Sequence, residues 1–592
     1  MSMTRAIALC ASACLVASVA QAEPIYAFKV AGNRLIGFDA ARPARLTTDL
    51  PIAGLVAGEV LAGLDFRPQN GLLYGLGVNA TANTASLYCI SQRNGFAAVV
   101  GTASGIAFVD AGSNPVDLPD PGTQSYGFDF NPTVDRLRIT TATGLNFRIN
   151  PNTGLAVDGD AIAAGVQPDG NINGSGVTGV AAAAYTNNQP SSIAVTQYTL
   201  DDVSNALYIQ NPPNNGTQTL GQTVFFNAAP LDFTAINGFD IPPGVNTATN
   251  NMAVAAGSAY AALGVGGVNG LYRINLPDAV ASLVGPIDTG AAPIQGLAAQ
   301  ANRPRSAIGL SGSGVNLVRF NLATPGTSTT LPLSGVAAGE TVVGIDFRPQ
   351  TGQLFGLGVN ATANTATLYL IDPQTGAATA IGAVGGITLV DAAAAPVDLP
   401  ATSVGYGFDF NPVVDRIRIV TGTGLNFRVN PATGAAVDGN AGLPGVNSDA
   451  AIQGSGSTGV VGAAYTNSFG RAIGGSDPTT LYTLDAVQDM LFIQEPANTG
   501  QQVLGVSVTQ DGTTLNFTAV GGFDIPPEVS VATTGTPASG SGVAVLTVGG
   551  VDTIYAIDLT TGQALRLGSA AAALSGLAVI SALEAVFADG YE

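Results

Sequence analysis

The chain has 592 residues, with 40 Asp and Glu against 20 Lys and Arg, a formal net charge of −20. It has no His and no Trp, 77 Gly and 34 Pro, and 46% hydrophobic residues. Without imidazole the Ser-His-Asp triad, the Cys-His pair, the His-zinc site and the His general base are excluded, and the acidic balance argues against nucleic-acid or anionic-membrane binding.

The first element in chain order is a secretory signal peptide over residues 1–22. Arg5 supplies the positive n-region, Ala6 to Ala20 the apolar stretch, and Ala20-Gln21-Ala22 the small-x-small cleavage form. About fifteen apolar residues are too few to span a membrane. Cys10 and Cys14 leave with this segment, so Cys89 alone remains and no internal disulfide can form. Cleavage removes one Arg and no acid, which takes the net charge to −21. No later apolar run is long enough to span a membrane, and the expected compartment is periplasmic or extracellular.

Three β-type runs follow, Ile25-Phe28, Leu35-Phe38 and Arg45-Thr48. The chain then repeats itself. Asp65-Phe-Arg-Pro68 returns at 346–349 and Asn79 to Ala85 at 360–366, both at an offset of 281. Tyr126 to Pro132 returns at 406–412, offset 280, and Asp240-Ile-Pro242 at 524–526, offset 284. The expectation is two near-equal halves, 23–302 and 303–580. A finer beat, Gly followed by an apolar residue and often Asp, falls at Gly63, Gly127, Gly179, Gly238 and Gly296. It falls again at Gly344, Gly407, Gly459, Gly522 and Gly576.

One clear unit runs from Val343 to Ile381. It reads as four short strands broken by the turns Arg348-Pro-Gln-Thr-Gly352 and Asp372-Pro-Gln-Thr-Gly376, where Pro fixes φ at entry and Gly supplies a positive φ at exit. Four-stranded units repeated at a fixed period predict an all-β fold of two tandem five-bladed β-propellers. One ten-bladed propeller fits the same counts. A β-sandwich or β-helix fits the period less well. The beats at Gly296 and Gly576 are placed to complete the first unit of each half and remove its free edge.

The longest retained block holds Asp129, Asp135, Arg136, Arg138, Asn146 and Arg148. Its copy holds Asp409, Asp415, Arg416, Arg418, Asn426 and Arg428. Arg67 recurs as Arg348. Four of nine arginines per half thus recur in register. Two roles fit. The Arg fork suits recognition of a carboxylate or phosphate. It also suits locking neighbouring blades through buried pairs, for example with Asp129 or Asp65. The Gly-x-Asp aspartates (Asp65, Asp129, Asp240, Asp346, Asp409, Asp524) read as turn-bonding residues. No catalytic residue is assigned. Calcium is a weak candidate ligand, at Asp158-Gly-Asp160 or the acidic loop 110–120, because no full D-x-D-x-D-G loop exists.

The combined pattern GFDFNPxxDRxRI, LNFRxNPxTG, AAYTN, LYTLD and Gln-Asn-Pro-Pro-Asn at 210–214 resembles a bacterial secreted family known as domain-of-unknown-function family 4394. The second copy departs from it at Gln494-Glu-Pro-Ala-Asn498. The resemblance implies a propeller-like extracytoplasmic domain and brings no activity or catalytic residue with it. A short acidic tail, 581–592, closes the chain, a sorting element or a frayed end. The resulting expectation is a non-catalytic binding scaffold for an unidentified ligand or protein. The alternatives are a calcium-assisted propeller hydrolase or lyase, and a structural cell-surface protein.

Overall fold

The structure is a computed structural model describing residues 23–176, 179–190, 192–300 and 305–580. The expected signal peptide, the joint near 302 and the acidic tail lie outside the described residues. Among the described residues there is no α-helix; the chain is all-β, with four-stranded antiparallel sheets as its repeating unit. Among the described residues no helix is long and apolar enough to cross a membrane.

In the first half the strands Pro24–Lys29, Arg34–Asp39 and Leu46–Pro51 form a sheet whose fourth member comes from the far end of the half. Ile294–Ala299 pairs antiparallel with Pro24–Lys29. Four further sheets follow in chain order, opening with the strands Val60–Phe66, Tyr126–Asn131, Val180–Tyr185 and Ala235–Asp240. The second half repeats the plan. Leu574–Val579 pairs with Ser306–Ser311, and the next four sheets open with Thr341–Phe347, Tyr406–Asn411, Val460–Tyr465 and Val520–Asp524.

These opening strands are the inner strands. In each half they touch one another in a cycle: Ile294–Ala299 meets Val60–Phe66, which meets Tyr126–Asn131, then Val180–Tyr185, then Ala235–Asp240, which returns to Ile294–Ala299. The second half shows the same cycle from Leu574–Val579 round to Val520–Asp524. Inner strands are covered on both faces and read as runs of small apolar residues; Val180–Tyr185 is buried at every position. Outermost strands alternate, as in Leu46–Pro51.

The beat glycine has a physical cause. A Cβ on Gly127 would lie 2.6 Å from the Ala183 backbone nitrogen, and one on Gly344 would lie 2.5 Å from the Phe408 Cβ. Only glycine lets successive inner strands approach this closely. At the turn exits Gly352 and Gly376 take φ of 64° and 72°, as the Pro-to-Gly pattern predicts.

The core lies between neighbouring sheets. Phe128, Phe130, Leu137 and Phe147 pack on Tyr74, Leu76 and Leu87 of the preceding sheet. Cys89 is free and buried in the same layer. The halves also touch: the Tyr74 hydroxyl donates to the Thr351 carbonyl at 2.9 Å, and Asn70 Nδ2 to the Gly352 carbonyl at 2.8 Å.

Candidate functional site

The recurring arginines are engaged with protein partners. Arg67 leaves the turn after Val60–Phe66 and donates Nε to Asp135 Oδ1 at 2.9 Å and Nη2 to Asp135 Oδ2 and to Asn152 Oδ1. Both members of the pair are fully buried. Arg348 repeats the pair on Asp415, with Nε at 2.9 Å. These pairs join one sheet to the next.

Arg138 donates to Asn146 Oδ1 at 3.0 Å, to Asp169 Oδ2 at 2.6 Å and to Asn214 Oδ1. Arg148 reaches the same carboxylate with Nε and Nη2, both at 2.7 Å. These two bonds raise the Arg148 pKa against the opposing effect of its own burial. Arg418, Arg428, Asn426 and Asp449 repeat the arrangement. Asn146 Nδ2 donates to the Gly170 and Pro213 carbonyls, and Asn426 to those of Ala450 and Ala497. Arg136 and Arg416 are different: each bonds only backbone carbonyls of its own hairpin, at Asp135 and Asp415 respectively and the residue before.

The partners differ from those expected. Asp129 stands opposite Arg138 in the antiparallel register, yet Arg138 forms its ion pair with Asp169. Asp169 and Asp449 were not singled out from sequence. Their signal was present as the retained Gly-Val-x-x-Asp of 165–169 and 445–449. Glu59 was also missed. It accepts bonds from Ser86 at 2.7 Å and Tyr88 at 2.5 Å, and Glu340 does the same for Thr367 and Tyr369.

The Gly-x-Asp aspartates do not cap turns; this is a correction to the sequence reading. Each reaches across to the next inner strand. Asp65 accepts the Phe130 N–H at 3.0 Å, Asp129 the Tyr185 N–H at 3.1 Å, and Asp240 the Ala299 N–H at 2.6 Å. Asp346, Asp409 and Asp524 make the matching bonds to Phe410, Tyr465 and Val579. This bonding fixes the register of the cycle. Ala184 and Ala298 stand where the other two inner strands would carry Asp, as do Ala464 and Ala578 in the second half. The third beat is therefore set at Ala182 and Gly462, three residues past the glycines that sequence spacing selects.

The consequence is a pair of carboxyl clusters. Asp65, Asp129 and Asp240 place oxygens within 4.8 Å of one another at the centre of the first half, as do Asp346, Asp409 and Asp524 in the second. All six side chains are buried; no Lys or Arg pairs with the first cluster among the described residues, and Asp524 in the second feels the charge of Arg305. Burial pushes every one of these groups upward in pKa, with neighbouring aspartates adding to it at Asp65, Asp129, Asp346 and Asp409; Asp240 rises to about 7, and Asp524 to about 6 against the opposing charge of Arg305.

Asp158 and Asp160 are placed elsewhere. Asp158 Oδ1 accepts the Asp160 and Gln167 N–H groups, and Asp160 Oδ1 that of Ile162. Neither joins a group of three convergent acids among the described residues.

The first residues of all five inner strands of the second half frame a cavity of about 430 Å³. Hydroxyls of Thr341, Thr402, Ser403, Thr518, Thr547 and Ser575 line it, with Gly and Val between them, and no Asp, Glu, Lys, Arg or Cys contributes.

Fold and site together define an all-β protein of two matching halves, each holding three buried carboxyl groups on its inner strands. The chain belongs to the family described as a domain of unknown function, DUF4394, whose model matches residues 34–298 and 316–578. The two matches coincide with the two halves. No curated protein matches the chain. Among solved structures it is similar to a protein of unknown function from Bacteroides caccae, at 12% identity over 47% of this chain and 99% of that one, with a TM-score of 0.27. It is also similar to the dihydro-heme d1 dehydrogenase NirN in complex with DHE (10% identity, 87% and 79% covered, TM-score 0.18). A third is the computationally designed Ika8 protein (10%, 73% and 96%, TM-score 0.19).

Proposed function

We propose that this protein is an extracytoplasmic, non-catalytic binding scaffold built from two five-bladed β-propellers, 23–302 and 303–580. The cyclic contacts of the inner strands support five blades per ring, and the pairing of Ile294–Ala299 with Pro24–Lys29 supports closure of each half on itself. That closure disfavours one ten-bladed ring. The signal-peptide pattern of 1–22 supports export.

The recurring arginines serve this scaffold as blade locks. Arg67, Arg138 and Arg148, with their copies, spend their donors on Asp and Asn side chains of the same or an adjacent sheet. A guanidinium so engaged has little left for an external anion.

One observation carries the binding reading: the 430 Å³ mouth of the second ring. It is concave, bordered by all five blades, and lined by hydroxyls without a carboxylate, amine, guanidinium or thiol; its one phenol, Tyr406, is engaged with the Pro400 carbonyl. Such a lining suits a neutral, hydroxyl- or amide-bearing ligand and offers no carboxylate or thiolate for proton transfer or nucleophilic attack, and burial raises the pKa of the Tyr406 phenol. A thermal-shift screen of neutral saccharides and short peptides tests it. The expected result is a ligand whose effect disappears in Ala486→Trp, which fills the mouth, and persists in Leu283→Trp on the first half. Turnover of ester, glycoside or polyuronate substrates, with or without calcium, would contradict the non-catalytic reading.

A further inference from the structure

We infer that each half holds one oxygen-preferring divalent cation, of which calcium is the type, between its three central aspartates. The arrangement is costly. Three carboxyl groups are withdrawn from water and set within 4.8 Å of one another, and in the first half no Lys or Arg pairs with them among the described residues. Burying unpaired charge is among the costliest steps in folding, so a compensating positive species belongs there.

The oxygens are divided between two tasks. In each aspartate one oxygen is tied to a backbone N–H of the next inner strand. Asp65 and Asp346 give their other oxygen to the Phe66 and Phe347 N–H groups, whereas Asp129 and Asp240 keep theirs for the centre. Asp129 Oδ2 and Asp240 Oδ1 are buried and accept no bond from any protein donor. These are unmet acceptors inside a cage whose walls are fixed by the cycle of strands.

The size also fits. Calcium takes carboxylate oxygens at 2.3–2.6 Å, so oxygens that all lie within 4.8 Å of one another can share one ion. An all-oxygen donor set without sulfur or imidazole selects hard ions such as calcium, magnesium or manganese over zinc or copper.

The second centre has an additional feature. Asp346 and Asp524 line a cavity of about 80 Å³ between the halves, and Ser91 lines it from the first half. Ser91 Oγ is nine-tenths buried and has no partner. At ~30 Å³ per water, this space takes two or three waters of a cation's shell, with the Ser91 hydroxyl available to bond one of them. The duplication keeps all six aspartates in register, whereas Asp160 in a loop away from the clusters becomes Asn440.

Protons shared among the carboxyls are the competing occupant. Full-length protein purified without chelator is analysed for bound metal by inductively coupled plasma mass spectrometry. It is then stripped with EDTA and titrated calorimetrically with calcium and with manganese. Two cations per chain and a higher melting temperature on their addition are expected. Asp129→Asn should leave one site, and Asp129→Asn with Asp409→Asn should leave none. Asn keeps the oxygen that accepts the backbone N–H, and Asp65→Asn and Asp346→Asn serve if the first pair fails to fold. Neither heat nor thermal stabilisation with calcium or manganese would overturn the inference and leave the protons in place. A single cation per chain would overturn it, and so would two cations retained by Asp129→Asn.

Discussion

Asp169 receives Arg148 through two parallel hydrogen bonds of 2.7 Å. The same carboxylate also takes Arg138, so one acid holds two guanidinium groups. Asp169→Asn strips the charge from this junction and leaves Arg138 buried beside a neutral amide. Breaking such a buried pair costs ~3–5 kcal/mol. Urea unfolding followed by tyrosine fluorescence, the chain having no Trp, should show a lowered midpoint for Asp169→Asn and a similar shift for Asp449→Asn. An unchanged midpoint would mean that the junction contributes nothing to the native state.

Gly127 tests the close approach of inner strands. Its substitution by Ala drives a Cβ to 2.6 Å from the Ala183 nitrogen, and backbone cannot step aside cheaply. Overpacking of this kind costs ~1–3 kcal/mol. Gly127→Ala should lower thermal stability, whereas Gly474→Ser, at an exposed position where a Cβ meets no atom within 4 Å, should carry only the cost of its left-handed backbone. Equal melting temperatures for Gly127→Ala and the parent would contradict the packing described for the inner strands.

Cys89 gives a reporter on the contact between the halves. It lines the cavity shared by both, and burial pushes its thiol up to about 12. At pH 8 a thiol with that pKa is ~10⁻⁴ ionised, against a substantial fraction for a free cysteine. Reaction with a disulfide reagent should therefore be at least ~100-fold slower in native protein than in urea. Labelling at the same rate in both would show that the cavity is open to solvent.

The tandem duplication, the four-stranded units and the strand that completes each half were legible in the sequence, because Pro-to-Gly turns and the beat glycine recur for steric reasons. The third beat was misplaced because Val180–Tyr185 and Val460–Tyr465 carry Ala where their neighbours carry Asp. The carboxyl clusters were not legible as sets. Asp65, Asp129 and Asp240 lie on three different sheets, and a period of sheets does not reveal that their side chains turn to a common centre. For the same reason the recurring arginines were expected to pair with aspartates such as Asp129 or Asp65, whereas Arg138 pairs with Asp169, which a loop delivers from outside the strand pattern.

The central claim is that each half is a closed cycle of five inner strands around three aspartates that hold a cation. Crystals grown with manganese, measured for anomalous scattering, test it most directly. The account predicts two anomalous peaks, one among Asp65, Asp129 and Asp240 and one among Asp346, Asp409 and Asp524. A map with no peak at either centre, or with peaks only at loops such as that of Asp158, would contradict it.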